Sequence, residues 1–230
     1  MKKITGLSLC NGVGMATMAL KGLGLDIGKM YVSEIDKFAI KGADALYPEN
    51  INLGCLTTLR RATCWSMTTL AKAFNSKYLS DKTKSDLRAA MVLRGESVDV
   101  AIFGTPCQSY SVAGKREGIR SKNGALIYEC FALLETLKPE CFMFENVKGL
   151  MSIDKGETFN EILNGFNDAG YAVDFKLINS SLLTAQNRER IYVIGKRLDT
   201  CQGLTHTVTL TKGFINEHKN KSALPIGGVM

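Results

Sequence analysis

The sequence is poor in the residues on which several common active sites and scaffolds depend. Histidine occurs only at His206 and His218, which argues against a His-based catalytic triad or a His/Cys zinc site. The seven cysteines form no CxxC pair, so they indicate a reducing compartment rather than a disulfide framework. Asn11, Gly12 and Gly14 interrupt the apolar N-terminal run, and no stretch has the length of a membrane span. We therefore expect a cytoplasmic protein with no targeting signal, no bound metal and no membrane partner.

The bulk composition predicts one globular α/β domain with an anionic partner. The chain has 230 residues, of which 45% are hydrophobic and 22% charged, enough for a sizeable core. Its formal net charge is +7, and nucleic acid is the commonest partner of a basic protein. A generically basic, solvated surface is the alternative. We expect a single domain over residues 1–230, with a helical insertion at 57–97 and a short tail at 198–230.

Short apolar runs alternate with helix-length segments along the chain. Strands are expected at 4–10, 28–33, 51–53, 98–104, 141–145, 171–178 and 191–195, and helices at 15–23, 36–47, 126–137 and 159–169. This alternation predicts a mostly parallel, doubly wound sheet, in which ligands bind at the carboxyl ends of the strands.

The insertion at 57–97 departs from this alternation. It is expected to form two helices broken near residues 75–80, and residues 60–94 carry eight Lys or Arg against two Asp. The single tryptophan, Trp65, also lies here. An amphipathic insertion with a solvated basic face and a surface for nucleic acid or a partner protein both fit this composition.

Two features after the first two strands indicate a nucleoside-containing cofactor. Gly12 and Gly14 allow close backbone approach at a helix N-terminus, and Glu34 can accept hydrogen bonds from ribose hydroxyls. Thr17 stands where the GxGxxG pattern has its third glycine, which weakens a nicotinamide-dehydrogenase interpretation. A structural glycine turn beside a surface glutamate is the plainer alternative.

Three further features follow the later strands. Cys107 comes just after the fourth strand, behind Pro106, and is a candidate nucleophile. Glu145 ends the fifth strand and is placed beside Cys107 if these strands are neighbours. Arg188 and Arg190 alternate before the last strand, so their guanidinium groups share one face. Taken singly, each has a plainer explanation as a buried thiol, a capping glutamate or a charged strand edge.

The order of these motifs is more specific than any one of them. NGVG, SEID, GTPCQSYSVAG, ENVKGL and QNRERIYVIG, over residues 4–197, resemble the DNA cytosine-5 methyltransferase family. The resemblance implies a class I S-adenosylmethionine-dependent methyltransferase fold, Rossmann-like, with S-adenosyl-L-methionine as methyl donor. It also implies DNA as the partner, with the target cytosine flipped out of the duplex into the site.

The resemblance also implies a role for each matching residue. Cys107 resembles the nucleophile that adds to cytosine C6, Glu145 the acid that protonates N3, and Arg190 the arginine at the base carbonyl, supported by Arg188. The implied cofactor-binding residues are Cys10, Gly12, Gly14, Glu34, Ile35, Cys55, Gly104, Pro106 and Leu126. The implied substrate and loop residues are Gln108, Ser111, Lys115, Arg116, Asn146 and Gln186.

The sequence departs from the family pattern in three places. Cys10 stands where the family has an aromatic residue that packs on adenine, and Cys55 where it has an aspartate that accepts the adenine amino hydrogen bond. After residue 199 we find neither a target-recognition domain nor the last two motifs. A second subunit that supplies recognition would account for this.

Several interpretations stay open at this point. The chain is the catalytic part of a split enzyme, a compact methyltransferase that holds DNA through its basic insertion, or a weak or inactive DNA-binding or regulatory homologue. A cytosine-5 methyltransferase acting on RNA is a further alternative. Restriction-modification, phage self-protection and epigenetic marking fit equally well.

Overall fold

The computed structural model describes residues 2–106, 124–182 and 184–200. Part of the predicted site and most of the predicted tail lie outside these ranges. Cys107, Gln108, Ser111, Lys115, Arg116 and residues 201–230 lie outside the described residues.

The described residues form a seven-stranded sheet. Its strands are β1 Ile4–Leu9, β2 Ile27–Ser33, β3 Ile51–Asn52, β4 Val100–Phe103, β5 Cys141–Val147, β6 Tyr171–Asn179 and β7 Glu189–Arg197. Their spatial order is β3-β2-β1-β4-β5-β7-β6. The strands from β3 to β5 in this order are parallel, whereas β7 runs antiparallel to both β5 and β6. The predicted mostly parallel, doubly wound sheet is therefore confirmed.

Helices connect most of the strands. They are α1 Met15–Gly22, α2 Lys37–Leu46, α3 Leu56–Cys64, α4 Met67–Asn75, α5 Asp81–Ala90, α6 Leu126–Leu137 and α7 Glu157–Asp168. Short 3-10 segments lie at Met91–Leu93, Lys148–Gly156, Ser180–Leu182 and Leu198–Thr200. In the described part of the chain, none of the helices is long and apolar enough to cross a membrane.

The insertion contains three helices, α3 to α5, so the prediction of two was wrong. The missed break lies at Trp65 and Ser66, where the backbone is extended. Ser66 begins α4 because its hydroxyl accepts a hydrogen bond from the backbone N–H of Thr69 at 3.1 Å. The break that was predicted is confirmed, and there Ser80 caps α5 by accepting from Thr83 at 3.1 Å.

Apolar side chains pack on both faces of the sheet, in unequal amounts. Helices α3, α5, α6 and α7 contribute to the larger core, where the rings of Phe142 and Phe166 lie 4.5 Å apart between centroids. On the other face, Leu20 of α1 packs in a smaller cluster with Met30 and Val32 of β2. The insertion thus belongs to the main core of the protein.

The carboxyl ends of five neighbouring strands meet at one edge of the sheet. The chain proceeds from β1 outward to β2 and β3, and then returns to the other side of β1 as β4. Ligands of doubly wound sheets bind in the crevice at such a reversal. Most of the predicted site residues that the structure describes follow the strands at this edge.

Candidate active site

The loop after β1 and the end of β2 are joined through the carboxylate of Glu34. Its Oε2 accepts a hydrogen bond from the backbone N–H of Gly12 at 2.7 Å. Its Oε1 accepts from the backbone N–H groups of Ile35 and Asp36, at 2.8 and 2.9 Å. A carboxylate has about four lone-pair sites, so one on Oε2 is left for a ligand hydroxyl.

Glycine is suited to positions 12 and 14 of the first loop for different structural reasons. Gly14 has a φ of +91°, and a Cβ added there would lie 2.7 Å from a ring carbon of Tyr47. It allows the loop to pack closely on the end of α2. Gly12 has a φ of +58°, and an added Cβ would meet no described atom within 4 Å. The space in front of Gly12 is therefore open to a ligand.

Asn11 is buried between these elements with an unsatisfied amide. It is 7% exposed, and neither Oδ1 nor Nδ2 has a hydrogen-bond partner in the part of the chain that the structure describes. An unpaired buried polar group costs about 1–3 kcal/mol, so a polar ligand group here would be stabilising. Together with the open space at Gly12 and the acceptor of Glu34, Asn11 makes a cradle that fits an adenosyl ligand.

The end of β3 joins the same cradle. The Ser33 hydroxyl donates to the carbonyl oxygen of Gly54 at 2.7 Å, and Asn52 Oδ1 accepts from the backbone N–H of Gly54 at 2.9 Å. These bonds bring Cys55, the residue before α3, to the carboxyl edge of the sheet. Cys55 makes no side-chain capping bond to α3.

Cys10 lies at the end of β1 in a strained backbone conformation, with a φ of +54°. Burial raises the pKa of its thiol to about 12, and the nearby Glu34 and Cys55 add to this effect. The thiol is therefore neutral at physiological pH and is not a nucleophile. It packs against the main core, as Leu126 does at the start of α6.

Glu145 is held by both predicted arginines. Its Oε1 forms ion pairs with both guanidinium groups, 3.0 Å from Arg190 Nε and 3.7 Å from Arg188 Nη2. In the antiparallel pairing of β5 and β7, Glu145 lies opposite Tyr192 and Val147 opposite Arg190. Glu145 and Arg190 are therefore diagonal neighbours on one face of the sheet. The prediction that the two guanidinium groups share a face is confirmed.

The other carboxylate oxygen of Glu145 faces the end of β4. A Cβ added to Gly104 would lie 2.9 Å from the Glu145 carbonyl oxygen and 3.2 Å from its Oε2. Glycine at this position thus allows the two strands and the carboxylate to approach closely. Strands β4 and β5 are paired neighbours, as the prediction for Glu145 required.

Asn146 links the same two strands below the surface. It is 1% exposed, and its Nδ2 lies 3.2 Å from both the carbonyl and the hydroxyl oxygen of Thr105. Its Oδ1 accepts from the backbone N–H of Val147 at 2.8 Å. The amide thereby holds the backbone just before Pro106, the last described residue ahead of position 107.

The structure places the remaining predicted residues at the margins of this edge. Ile35 is 70% exposed after β2, and Gln186 is exposed in the turn before β7. Tyr192 was missed, although it continues the alternation of Arg188 and Arg190 along β7. Burial and the charge of Glu145 raise the pKa of Tyr192. The roles of all these residues in binding or catalysis stay predictions.

The described cysteines are free thiols, at positions 10, 55, 64, 130 and 141. Burial raises the pKa of Cys130 and of Cys141. Within the described ranges, no three histidine, cysteine or acidic side chains gather in an arrangement that could hold a metal ion.

The strand order, with β7 inserted antiparallel between β5 and β6, and the cradle after β1 define a class I S-adenosylmethionine-dependent methyltransferase fold. The family model of C-5 cytosine-specific DNA methylases matches residues 4–224. The chain belongs to this family.

Two phage proteins are among its relatives. It is 35% identical over 202 residues to the orphan methyltransferase M.Rho11sI of Bacillus phage rho11s, a match that covers 86% of this chain and 34% of the phage protein. It is 34% identical over 202 residues to the orphan methyltransferase M.SPRI of Bacillus phage SPR, covering 86% of this chain and 39% of that protein. The chain thus spans little more than a third of the length of these relatives.

The fold is similar to that of a solved E. coli structure, described as a DNA modification methyltransferase encoded within a prophage. The TM-score is 0.58 at 20% sequence identity, over 86% of this chain and 48% of that one. At this identity the likeness supports the fold alone.

Proposed function

We propose that the chain transfers a methyl group from S-adenosylmethionine to C5 of cytosine in DNA, through a covalent bond between Cys107 and C6. The observation that carries this proposal is the position of Glu145. One of its carboxylate oxygens is held by Arg190, and the other faces Gly104, three residues before Cys107. A carboxyl group, two guanidinium groups and the strand that leads to the candidate nucleophile therefore converge at one edge.

Each residue has a distinct part in the proposed reaction. The Cys107 thiolate forms a bond to C6, while a proton shared between Glu145 and N3 draws electrons toward the ring nitrogen. The addition shifts the π electrons of the C5–C6 double bond onto C5, which makes C5 nucleophilic. C5 would then take the methyl group that S-adenosylmethionine supplies, with S-adenosylhomocysteine as the leaving group. Water in the site would accept the C5 proton, and the electrons of that C–H bond would expel Cys107 as thiolate while the N3 proton returns to Glu145. The nucleophile is regenerated without a histidine base.

The arginines position the acid in this scheme. Arg190 holds Oε1 of Glu145 in a partly buried ion pair, which leaves Oε2 on the side of Gly104, where it could meet the substrate base. Arg188 lies farther from the same oxygen, at 3.7 Å, and is more exposed, so its guanidinium group can reach the base carbonyl or a phosphate. Asn146 contributes indirectly, because it holds the backbone that precedes Cys107.

The cofactor belongs in the cradle after β1 and β2. Glu34 would accept from the ribose hydroxyls, Asn11 would pair with a polar group, and Gly12 would admit the ligand to the backbone. S-adenosylmethionine, when bound, supplies an electrophilic methyl group.

A trapping experiment tests the proposal. The purified chain is incubated with S-adenosylmethionine and a DNA duplex that carries 5-fluorocytosine at many sites. Because fluorine cannot leave C5 as a proton does, an active enzyme stays bound through Cys107. We expect an adduct that survives denaturation, disappears in Cys107→Ala and persists in Cys141→Ala, a matched change of a cysteine that lies at the amino end of β5.

Absence of the adduct with the unmutated chain contradicts the proposal that this chain carries out the reaction by itself, and survival of the adduct in Cys107→Ala contradicts the proposed mechanism. The same experiment tests the predicted second subunit. An adduct formed by the purified chain alone shows that no further polypeptide is required for the covalent step.

A further inference from the structure

We infer that the helical hairpin α4–α5 carries a second contact surface for DNA, one that binds the phosphate backbone beside the candidate active site. The inference rests on the proposed function for its substrate. The surface consists of Lys72, Lys77, Lys84 and Arg88, and is called the hairpin surface below.

The cations of the hairpin surface have no acidic partner. In the described part of the chain, none of the four has a carboxylate oxygen within 4.0 Å, whereas the neighbouring Lys82 pairs with Asp86 at 2.9 Å. The one other carboxylate of the hairpin, Asp81, lies in the first turn of α5, where it stabilises the helix dipole. The positive charge of this surface is therefore not compensated within the described part of the protein.

Two of the four cations stack on aromatic rings. The guanidinium carbon of Arg88 in α5 lies 4.9 Å from the ring centroid of Phe74 in α4. Lys84 is one helical turn before Arg88, so the two share a face of α5. Lys77 in turn lies 5.4 Å from the ring centroid of Tyr78, which is 87% exposed. These contacts restrict the positions of Arg88 and Lys77 on the surface.

The hairpin is a firm platform for these charges. Leu70 of α4 and Leu87 and Ala90 of α5 are fully buried in the main core. Arg94, which follows α5, donates to the carbonyl oxygens of Ala62 and Trp65 at 2.8 Å each, and so ties the insertion to the end of α3. A preorganised surface loses little conformational entropy when it binds a ligand.

The hairpin adjoins the candidate site. A Cβ added to Gly54, at the end of β3, would lie 3.9 Å from Cγ of Asp86 in α5. Gly54 is bonded to the cradle through Ser33, so α5 runs beside the carboxyl edge of the sheet. Asp86 of the hairpin and Glu145 thus lie at the same edge of the sheet, with β2, β1 and β4 between β3 and β5, and the proposal places the flanking DNA backbone along this edge.

On the sheet face that carries the larger core, positively and negatively charged side chains lie on opposite sides of α6. Helix α6 contacts α3 on one side through the ion pair of Arg60 with Glu129. On its other side, α6 and α7 enclose a groove lined by Glu135, Glu157, Glu161 and Asp168. A polyanion is attracted to the insertion side of α6 and repelled from the α7 side, which favours one orientation of the duplex.

The surface is tested through the salt dependence of binding, measured in Cys107→Ala so that no covalent bond forms. The triple variant Lys72→Gln, Lys77→Gln and Lys84→Gln removes three charges and retains Arg88 on Phe74. The control variant Lys2→Gln, Lys3→Gln and Lys29→Gln removes three charges at the amino edge of the sheet. The measured quantity is the slope of the logarithm of the DNA association constant against the logarithm of the salt concentration. We expect this slope to become less negative only in the hairpin variant, by about 0.9 for each phosphate that the removed lysines neutralise in the unmutated surface.

An equal change of slope in both variants, or none in either, overturns the inference. An RNA duplex of the same sequence is measured in parallel. If the chain binds RNA more tightly than DNA, and the hairpin variant changes the salt slope only for RNA, DNA is not the partner of this surface. The readout is independent of the proposed reaction. If the chain forms no adduct but the slope changes as expected, the methyl-transfer proposal fails while the hairpin surface stands.

Discussion

The side chain of Asn146 spans from β5 to the end of β4, where its Nδ2 lies 3.2 Å from both oxygens of Thr105. This contact sets the direction of the backbone that leads to Cys107. We expect Asn146→Ala to lower the free energy of unfolding by about 1–3 kcal/mol, because the buried Thr105 oxygens lose their donor. We also expect slower adduct formation at saturating DNA with unchanged DNA affinity, measured in single-turnover experiments.

Thr105→Val is the matched control for Asn146. It removes the hydroxyl but keeps the carbonyl acceptor, so it is expected to have the smaller effect on the adduct rate. A larger effect for Thr105→Val than for Asn146→Ala would show that the hydroxyl acts on its own and not through Asn146.

Arg190→Lys should slow methyl transfer while the protein stays folded. The substitution keeps the charge but removes the Nε donor, which lies 3.0 Å from Glu145 Oε1. We expect roughly a 10-fold loss of rate, which corresponds to about 1.4 kcal/mol of transition-state stabilisation, because the ion pair no longer orients the carboxylate. Arg197→Lys is the control, since Arg197 is at the far end of β7 and pairs with Asp199. Equal initial rates for Arg190→Lys and the unmutated chain would exclude an orienting role.

Gly104→Ala is expected to abolish most of the activity. The new Cβ would be 2.9 Å from the Glu145 carbonyl oxygen, so the carboxylate or the strand must move. We expect a loss of stability of about 1–3 kcal/mol as well. Gly22→Ala at the end of α1 meets no described atom within 4 Å and should leave both unfolding and activity nearly unchanged. Activity of Gly104→Ala near that of the Gly22 control would mean that the close approach is not required.

Glu34→Gln should loosen the cradle after β1. An amide cannot accept from Gly12, Ile35 and Asp36 at once, because one of its two ends is a donor. We expect weaker binding of S-adenosylmethionine in isothermal titration and a lower melting temperature. Glu49→Gln, which alters an exposed ion pair with Lys21, is the control. Unchanged cofactor affinity in Glu34→Gln would place the ligand elsewhere.

The raised pKa of the Cys10 thiol predicts that the protein loses stability at alkaline pH. Its pKa is raised from 9.0 to about 12 by burial, so the folded protein binds the thiol proton more tightly than the unfolded chain. The resulting stabilisation is complete below pH 9 and is lost as the pH rises toward 12. We expect the difference in unfolding free energy between the unmutated chain and Cys10→Ala to shrink over this range. Native alkylation at about pH 8, below the ordinary thiol pKa, followed by peptide mass spectrometry, should leave Cys10 unmodified, and rapid labelling would contradict the raised pKa.

Local patterns were sufficient for most of the strands and helices, and the roles of the site residues stay predictions. The bounds predicted for α6 are those of the structure, since a helix of twelve residues with an apolar face is specified by its own periodicity. The additional break in the insertion was missed because a single serine cap, Ser66, interrupts an otherwise continuous helical pattern. The contact of Asn146 with Thr105 was missed because it joins residues 41 positions apart.

The sequence by itself determined the alternation of strands and helices, the order of the motifs and hence the family. Only the tertiary structure decided that β7 runs antiparallel between β5 and β6, that Arg190 meets Glu145 diagonally, and that the insertion lies beside the cradle after β1. The physical reason is that hydrophobic periodicity and capping act within a few residues along the chain. Strand pairing and charge pairing depend on which distant segments the core brings together, and that is settled by packing over the whole sheet.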